Sequence, residues 1–495
     1  MREALHIFKK DSRYLRVPIV LVLTWTALFV AASAFESPAF GIPGGPRDAA
    51  TFIVIRLTDY VLPVAWIYVI ARLIHAEAFR GDRRFWLTRP YRRSSLVLAK
   101  AMFIVAYLTA PMAIAQMVIL VAKGLPLVPY LPALFWSHLL IVTMVAIPMA
   151  AIAATTSTLG QVIVISLILP AAFVLRVSFN DVGPFEWVRS AVAGCVVLGM
   201  CVAVLWIQVK TRKAVRSLLV VLLGTAVIVA GLMAPWWDGA FVIQAMTAPG
   251  VSSSLRASIA EPLPPLNLPT AAGLVPAGRV GPEQIRLQFV LAGMPADTPV
   301  MCEGVELRVD GPDGKTWTTP VKQIPTNEPT LITEGCTAFF ATPDGYLREI
   351  KGHTVDLHAV LYATVYGPPQ STVLTTDGPS VMIPDYGRCG AVTRRIHTPG
   401  SIGLPELSVE CTFAFRAPPV LAQYALDAST PRTLHRPYSY SPLPAELRLD
   451  PVGTTAVYFK HANSATVITR HVAGYEKLVV NMPQVDLSSY QVGAR

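Results

Sequence analysis

Between residues 17 and 235 the sequence is a succession of long apolar runs broken by short segments rich in Lys and Arg. A helix rises 1.5 Å per residue, so a run of about 20 apolar residues covers the roughly 30 Å hydrocarbon core of a bilayer. Backbone groups in lipid must find their partners within the segment, so an isolated run of this kind is read as a helix. The candidate spans are 17–35, 51–73, 98–121, 131–154, 160–178, 189–208 and 217–235. Mean hydropathy is +0.50, and this apolar excess belongs to the first half of the chain. Charge divides at the same place: 22 Lys and Arg against 9 Asp and Glu through residue 235, then 19 against 22. Basic residues placed between apolar runs are loop residues, which argues against a nucleic-acid-binding surface.

The same loops give an orientation. Arg2, Lys9, Lys10, Arg13 and Arg16 precede the first run. Arg80, Arg83, Arg84, Arg89, Arg92 and Arg93 follow the second, and Lys210, Arg212, Lys213 and Arg216 follow the sixth. The alternate connections hold only Arg47 and Lys123, with Arg176 and Arg189 at span ends where they can snorkel. The positive-inside rule then predicts a multi-pass protein of the cell (inner, cytoplasmic) membrane, with the N-terminus in the cytoplasm and residues 236–495 outside. Trp236 and Trp237 close the last span as interfacial aromatics. Ala32, Ser33 and Ala34 resemble a signal-peptidase site, but the apolar run of about 18 residues is longer than the usual ~7–15 of a signal core. Arg56 and Asp59 lie three apart on one helical face of the second span. Intramembrane charges are often functional; the plainer reading is an Arg56–Asp59 pair near the outer interface, with the apolar core starting around Tyr60.

After residue 235 the pattern changes. Residues 236–282 include a stretch rich in Pro, Ser, Ala and Gly and read as a linker. Period-two alternation follows at 285–291 and 305–309, with further strand candidates at 355–366, 407–415, 456–460 and 465–470. The predicted fold class is an α-helical polytopic membrane bundle of about seven helices, followed by a mainly-β, sandwich-like extracytoplasmic domain over 283–495. A Pro-rich stretch at 418–445 is a candidate division of that domain. Cys302, Cys336, Cys389 and Cys411 all fall on the predicted outer side, where an even count implies two disulfides. Three connectivities are open; Cys302–Cys336 with Cys389–Cys411 closes the shortest loops. Cys195 and Cys201 sit in the sixth span as packing residues.

Motifs for catalysis are missing. Gly311-Pro-Asp-Gly-Lys-Thr316 imitates a phosphate loop, but the required Gly position is Val309, so the segment is a hairpin turn. The chain therefore has no recognisable ATP site, and it has no HExxH or GxSxG. His353 and His358 are five apart on a predicted strand and point to opposite faces, and no CxxC pair exists, so no metal site is expected.

The most informative segment, 75–100, reads HAEAFRGDRRFWLTRPYRRSSLVLAK. It resembles the first intracellular loop of ABC-2 type transporter permeases, through Glu77, Gly81, Phe85, Trp86, Leu87, Pro90, Arg93 and Lys100. The resemblance covers residues 1–210. It implies that loop 75–97 forms a short coupling helix docking into a separate ABC-type ATPase, which would carry the ATP and Mg; this chain holds no cofactor. Phe85 and Trp86 are suited to anchor such a contact, rimmed by charges such as Arg89, with Pro90 ending the helix. Residues 1–16, with Leu5, Phe8, Ser12 and Leu15 near one face, resemble the family's interfacial elbow helix. A homodimer, or a heterodimer with a related permease, is implied as well. Two features depart from the family: an added seventh span, and an outer domain after the last span rather than between spans. The plainer reading of 80–93 is an ordinary positive-inside loop. The competing function is a membrane-anchored extracytoplasmic binding or sensory protein without transport.

Overall fold

The computed structural model describes residues 1–35, 46–76, 92–156, 158–165, 186–211, 214–233, 237–247, 255–262, 284–293, 298–319, 322–323, 335–343, 345–350, 352–376, 378–395, 405–414, 420–425, 431–433, 449–460 and 464–492. The first half is helical: α1 (Arg2–Tyr14), α2 (Arg16–Phe35), α3 (Pro46–His75), α4 (Arg93–Ile104), α5 (Ala110–Ala122), α6 (Leu127–Ile141), α7 (Ile147–Thr155), α8 (Glu186–Thr211), α9 (Ala214–Met233) and α10 (Trp237–Thr247). α4 and α5 form one continuous rod through a π turn at Val105–Thr109, and α6 and α7 through another at Val142–Ala146.

Among the described residues five helices are long and apolar enough to cross a membrane: Arg16–Ala34, Ile53–His75, Arg93–Ala122, Leu127–Thr155 and Ala191–Thr211. Their outer faces present large apolar side chains, such as Val128 (76% exposed), Phe135 (71%) and Trp206 (67%). A monomer in water rarely tolerates so much apolar surface; in a bilayer it is the solvated face. The chain is thus a membrane protein. The two other expected spans are not among the five. Of 160–178 only residues through Ile165 are described, and 217–235 corresponds to α9, whose described apolar stretch is Leu219–Ile228.

The second half is mainly β. The strands are β1 (Arg256–Ile259), β2 (Gln284–Ala292), β3 (Val300–Asp310), β4 (Thr316–Thr318), β5 (Lys322–Gln323), β6 (Gly335–Ala341), β7 (Val355–Tyr366), β8 (Gln370–Thr375), β9 (Val381–Ile383), β10 (Gly387–Arg395), β11 (Pro405–Ala414), β12 (Val420–Ala425), β13 (Pro431–Thr433), β14 (Val452–Lys460), β15 (Ser464–Val485) and β16 (Gln491–Val492). Among described residues every pairing is antiparallel. In the first sheet β2 pairs β6, β1 and β16. The second runs β14-β11-β10-β9. The third runs β13-β12-β15-β7-β3-β4, with β5 on β3 and β8 on β15.

Alternation dictates how these sheets pack. Ile285, Leu287, Phe289 and Leu291 of β2 are buried and meet Val305, Leu307, Leu357 and Leu361 of the third sheet in one core. Leu407, Val409 and Cys389 of the second sheet meet Leu374, Ala465 and Val467 of the third in another. The 22-residue β15 runs through both cores. Disulfides join Cys302 to Cys336 and Cys389 to Cys411, as the short-loop reading expected. The first ties β3 to β6 across the larger core; the second joins two directly opposed residues of β10 and β11. The stretch 236–282, read as a linker, holds α10 and β1. Phe241 of α10 is buried against Tyr362 of β7, with ring centroids 5.2 Å apart. Short elements of this size carry little periodicity, so Pro and Gly content dominated the sequence signal.

Candidate functional site

Two ends of the helical bundle can be told apart by what packs on them. At one end, α1 lies against α4. Ala4 and Ile7 interlock with Leu96 and Ala99, and Phe8 stacks on Tyr107 at 5.7 Å. Ser95 donates to Glu3 at 3.0 Å. Lys100, 5% exposed in a membrane-crossing helix, puts its Nζ 2.8 Å from Asp11 Oδ2, and Asp11 is 1% exposed. A cation at that depth needs a counter-charge, and α1 delivers one. The buried face of α1 is therefore Ala4, Ile7, Asp11 and the adjoining Leu15; of the expected Leu5–Phe8–Ser12–Leu15 face, Leu15 is buried, Phe8 and Ser12 are half-buried, and Leu5 is exposed. A helix lying only on lipid would bury its most apolar stripe, but here the stripe is set by the partner helix and its lysine.

The ends of three more helices converge on this face. Arg72 of α3 lies 5.4 Å over the Tyr14 ring. His75 Nε2 donates to the Ala153 carbonyl of α7 at 2.9 Å. Arg93 Nη1 donates to the Lys210 carbonyl at 3.2 Å, near the C-terminal end of α8, where the helix dipole favours a cation. Arg93 and Lys100 are thus positioned by geometry that the loop motif did not reveal. Glu77, Gly81, Phe85, Trp86, Leu87, Arg89 and Pro90 lie outside the described residues. So do the side chains of Arg56 and Asp59; between them Thr58 accepts from Trp25 Nε1 at 3.1 Å.

At the opposite end the β region seats on the α5–α6 turn. Leu120 and Leu125 pack with Ala414, and Leu127, Tyr130, Met382 and Val452 surround them. Arg388 spreads its guanidinium over Gly124, whose φ of +70° and lack of a Cβ make the approach feasible. Leu449, 2% exposed, belongs to the same buried apolar cluster as the helices of the bundle. Its carbonyl accepts from Gln116 Nε2 at 2.8 Å, and Gln116 is fully buried. Val192 of α8 packs beside Phe241 and Tyr362 at this same end. Sequence reading missed this contact. A lone Gln within the apolar run 98–121 was its one visible trace.

The described residues include no group of His, Cys, Asp and Glu able to hold a metal. Comparisons with protein-family models, with curated proteins and with solved structures each found no match for this chain.

Proposed function

We propose that this chain is the membrane-spanning permease subunit of an ABC-2 type ATP-driven transporter, coupled to a separate ATPase through the loop 75–97. The observation that carries the reading is the convergence of α1, the end of α3, the start of α4 and the ends of α7 and α8 on one face. This braced platform frames both ends of the loop whose residues resemble a coupling helix. A docking element needs a stiff base if a push on it is to reach the bundle. The buried Asp11–Lys100 pair and the Arg93 contact to Lys210 supply that base.

On this reading the basic face is cytoplasmic, the bundle crosses seven times, and the β region lies outside. Thr156, at the end of α7, is at the α1 end of the bundle, and Val192 is at the β end. A crossing at 160–178 accounts for the change of side, and α9 for the return.

Phe85 and Trp86 would carry most of the contact, as aromatic anchors usually do. Replacing both with Ala is expected to weaken capture of the ATPase on co-purification by at least ~30-fold, the size of a hot-spot loss of about 2 kcal/mol. Undiminished capture, or no ATPase bound by the wild-type chain, removes the docking reading. The burial of Leu449 within the bundle core favours a second role, transmission of a signal from the β region without transport. Loss of function without any ATPase partner would point there.

A further inference from the structure

Both π turns have the same local cause. Pro111 follows the first by two residues and Pro148 follows the second by two. Proline has no N–H for the carbonyl four residues earlier, and its ring crowds that carbonyl, here Tyr107 and Met144. The backbone answers by widening one turn, so that Ala110 N–H reaches Val105 O and Ile147 N–H reaches Val142 O. In the second turn Thr143 Oγ1 also donates back to the carbonyls of Leu139 at 2.8 Å and Leu140 at 3.2 Å, a contact that favours bending.

The two turns face each other in the middle of the bundle. Leu108 and Thr109 of the first and Val145 and Ala146 of the second line one cavity with Trp66 and Ile70 of α3. α3 carries its own internal proline at Pro63. The cavity measures about 10 Å³, the room of a single water, and its lining is nearly all apolar. It is too small to be a ligand site, so it counts as slack in the packing where three proline-bearing helices meet.

The halves on either side of the turns are anchored to different things. On the α1 side, α4 is bound to α1 through Lys100–Asp11 and Leu96–Ile7, and α7 is bound to α3 and α8 through His75–Ala153 and Ala151–Cys201. On the other side, α5 and α6 are bound to the β region through Gln116–Leu449, Leu125–Ala414 and Tyr130.

We propose that the paired π turns at Val105–Thr109 and Val142–Ala146 are a double hinge, allowing the β region with its clamped α5–α6 hairpin to tilt against the α1-braced half of the bundle. The device needs no ATPase to exist. It can therefore be tested on the purified chain alone, and its failure leaves the docking reading standing.

The measurement is amide hydrogen exchange of the full chain in lipid nanodiscs, followed by mass spectrometry of peptides across each rod. Opening confined to a hinge is expected to make peptides spanning 104–112 and 141–149 exchange at least ~10-fold faster than those spanning 94–102 and 115–121. The double variant Pro111→Ala, Pro148→Ala restores the missing donors and is expected to slow the two hinge peptides toward their neighbours. Uniform protection along both rods in the wild-type chain overturns the hinge. So does a folded double variant whose exchange pattern is unchanged. The wild-type comparison decides the matter even if the double variant fails to fold.

Discussion

Asp11 is one of two acidic residues, with Glu3, in a strongly basic N-terminal segment, and nothing in its neighbourhood marks it out. The fold makes it the counter-ion of Lys100 at 2.8 Å, with both side chains almost fully buried. Removing one member of such a pair typically costs about 3–5 kcal/mol, because the remaining charge loses its closest compensation. Asp11→Asn and Lys100→Met are each expected to lower thermal stability in detergent by that order, and the double variant Asp11→Leu, Lys100→Met to recover most of it. Equal losses in single and double variants would mean that the ions act independently. His138 is the converse case, since its buried ring has no hydrogen-bond partner among the described residues. His138→Leu is expected to raise stability by about 1–3 kcal/mol, the usual penalty of an unsatisfied buried polar group, read as a higher melting temperature. At the tip of β3, hydrogen bonds from Arg308 and Thr316 hold the Asp310 carboxyl below its ordinary range. Because the folded value is depressed, its contribution is present above the unfolded carboxylate pKa and fades as pH falls through the folded one. A pH titration of the neighbouring amide shifts should show that midpoint displaced downward. The Lys100 site was half legible: a Lys opening an apolar run was visible, whereas its partner 89 residues away was not.

Among the elements, the period-two strands were the most legible, because β2 and β7 bury alternate or nearly continuous apolar residues with no competing pattern. The two disulfides were expected from an even cysteine count on the predicted outer side, and short loop length favoured their pairing among three connectivities. In the chain-entropy picture loops of 34 and 22 residues are each worth about 3–4 kcal/mol. Replacing Cys302 and Cys336 together with Ala is expected to destabilise the β region by about that much, measured by denaturant unfolding. Loss of less than about 1 kcal/mol would mean that this bridge adds little to the fold. The helix count was legible only in part. Hydropathy finds a run but does not locate π turns, which depend on where Pro111 and Pro148 fall within it. The seating of Leu449 in the bundle was not legible at all. It joins residues 333 positions apart, and a single leucine in a Pro-rich stretch carries no signal of its own.

For the whole molecule, the structure separates two ends of one helical bundle, with the basic N-terminal helix at one and the double-cored β region at the other. That separation puts α1 and the β region at opposite ends of the bundle, which is the arrangement that an orientation read from the distribution of Lys and Arg requires. The proposed docking and the oxidised cysteines both require the α1 face to be cytoplasmic and the β region to lie outside. The most direct test is labelling of single cysteines with a membrane-impermeant thiol reagent in sealed cells, in a background where Cys195 and Cys201 are Ala. A cysteine at Val373, which is 63% exposed on β8, should label at once, and a cysteine at Thr88 only after the cells are permeabilised. Labelling of Thr88→Cys in intact cells with Val373→Cys protected would contradict the account.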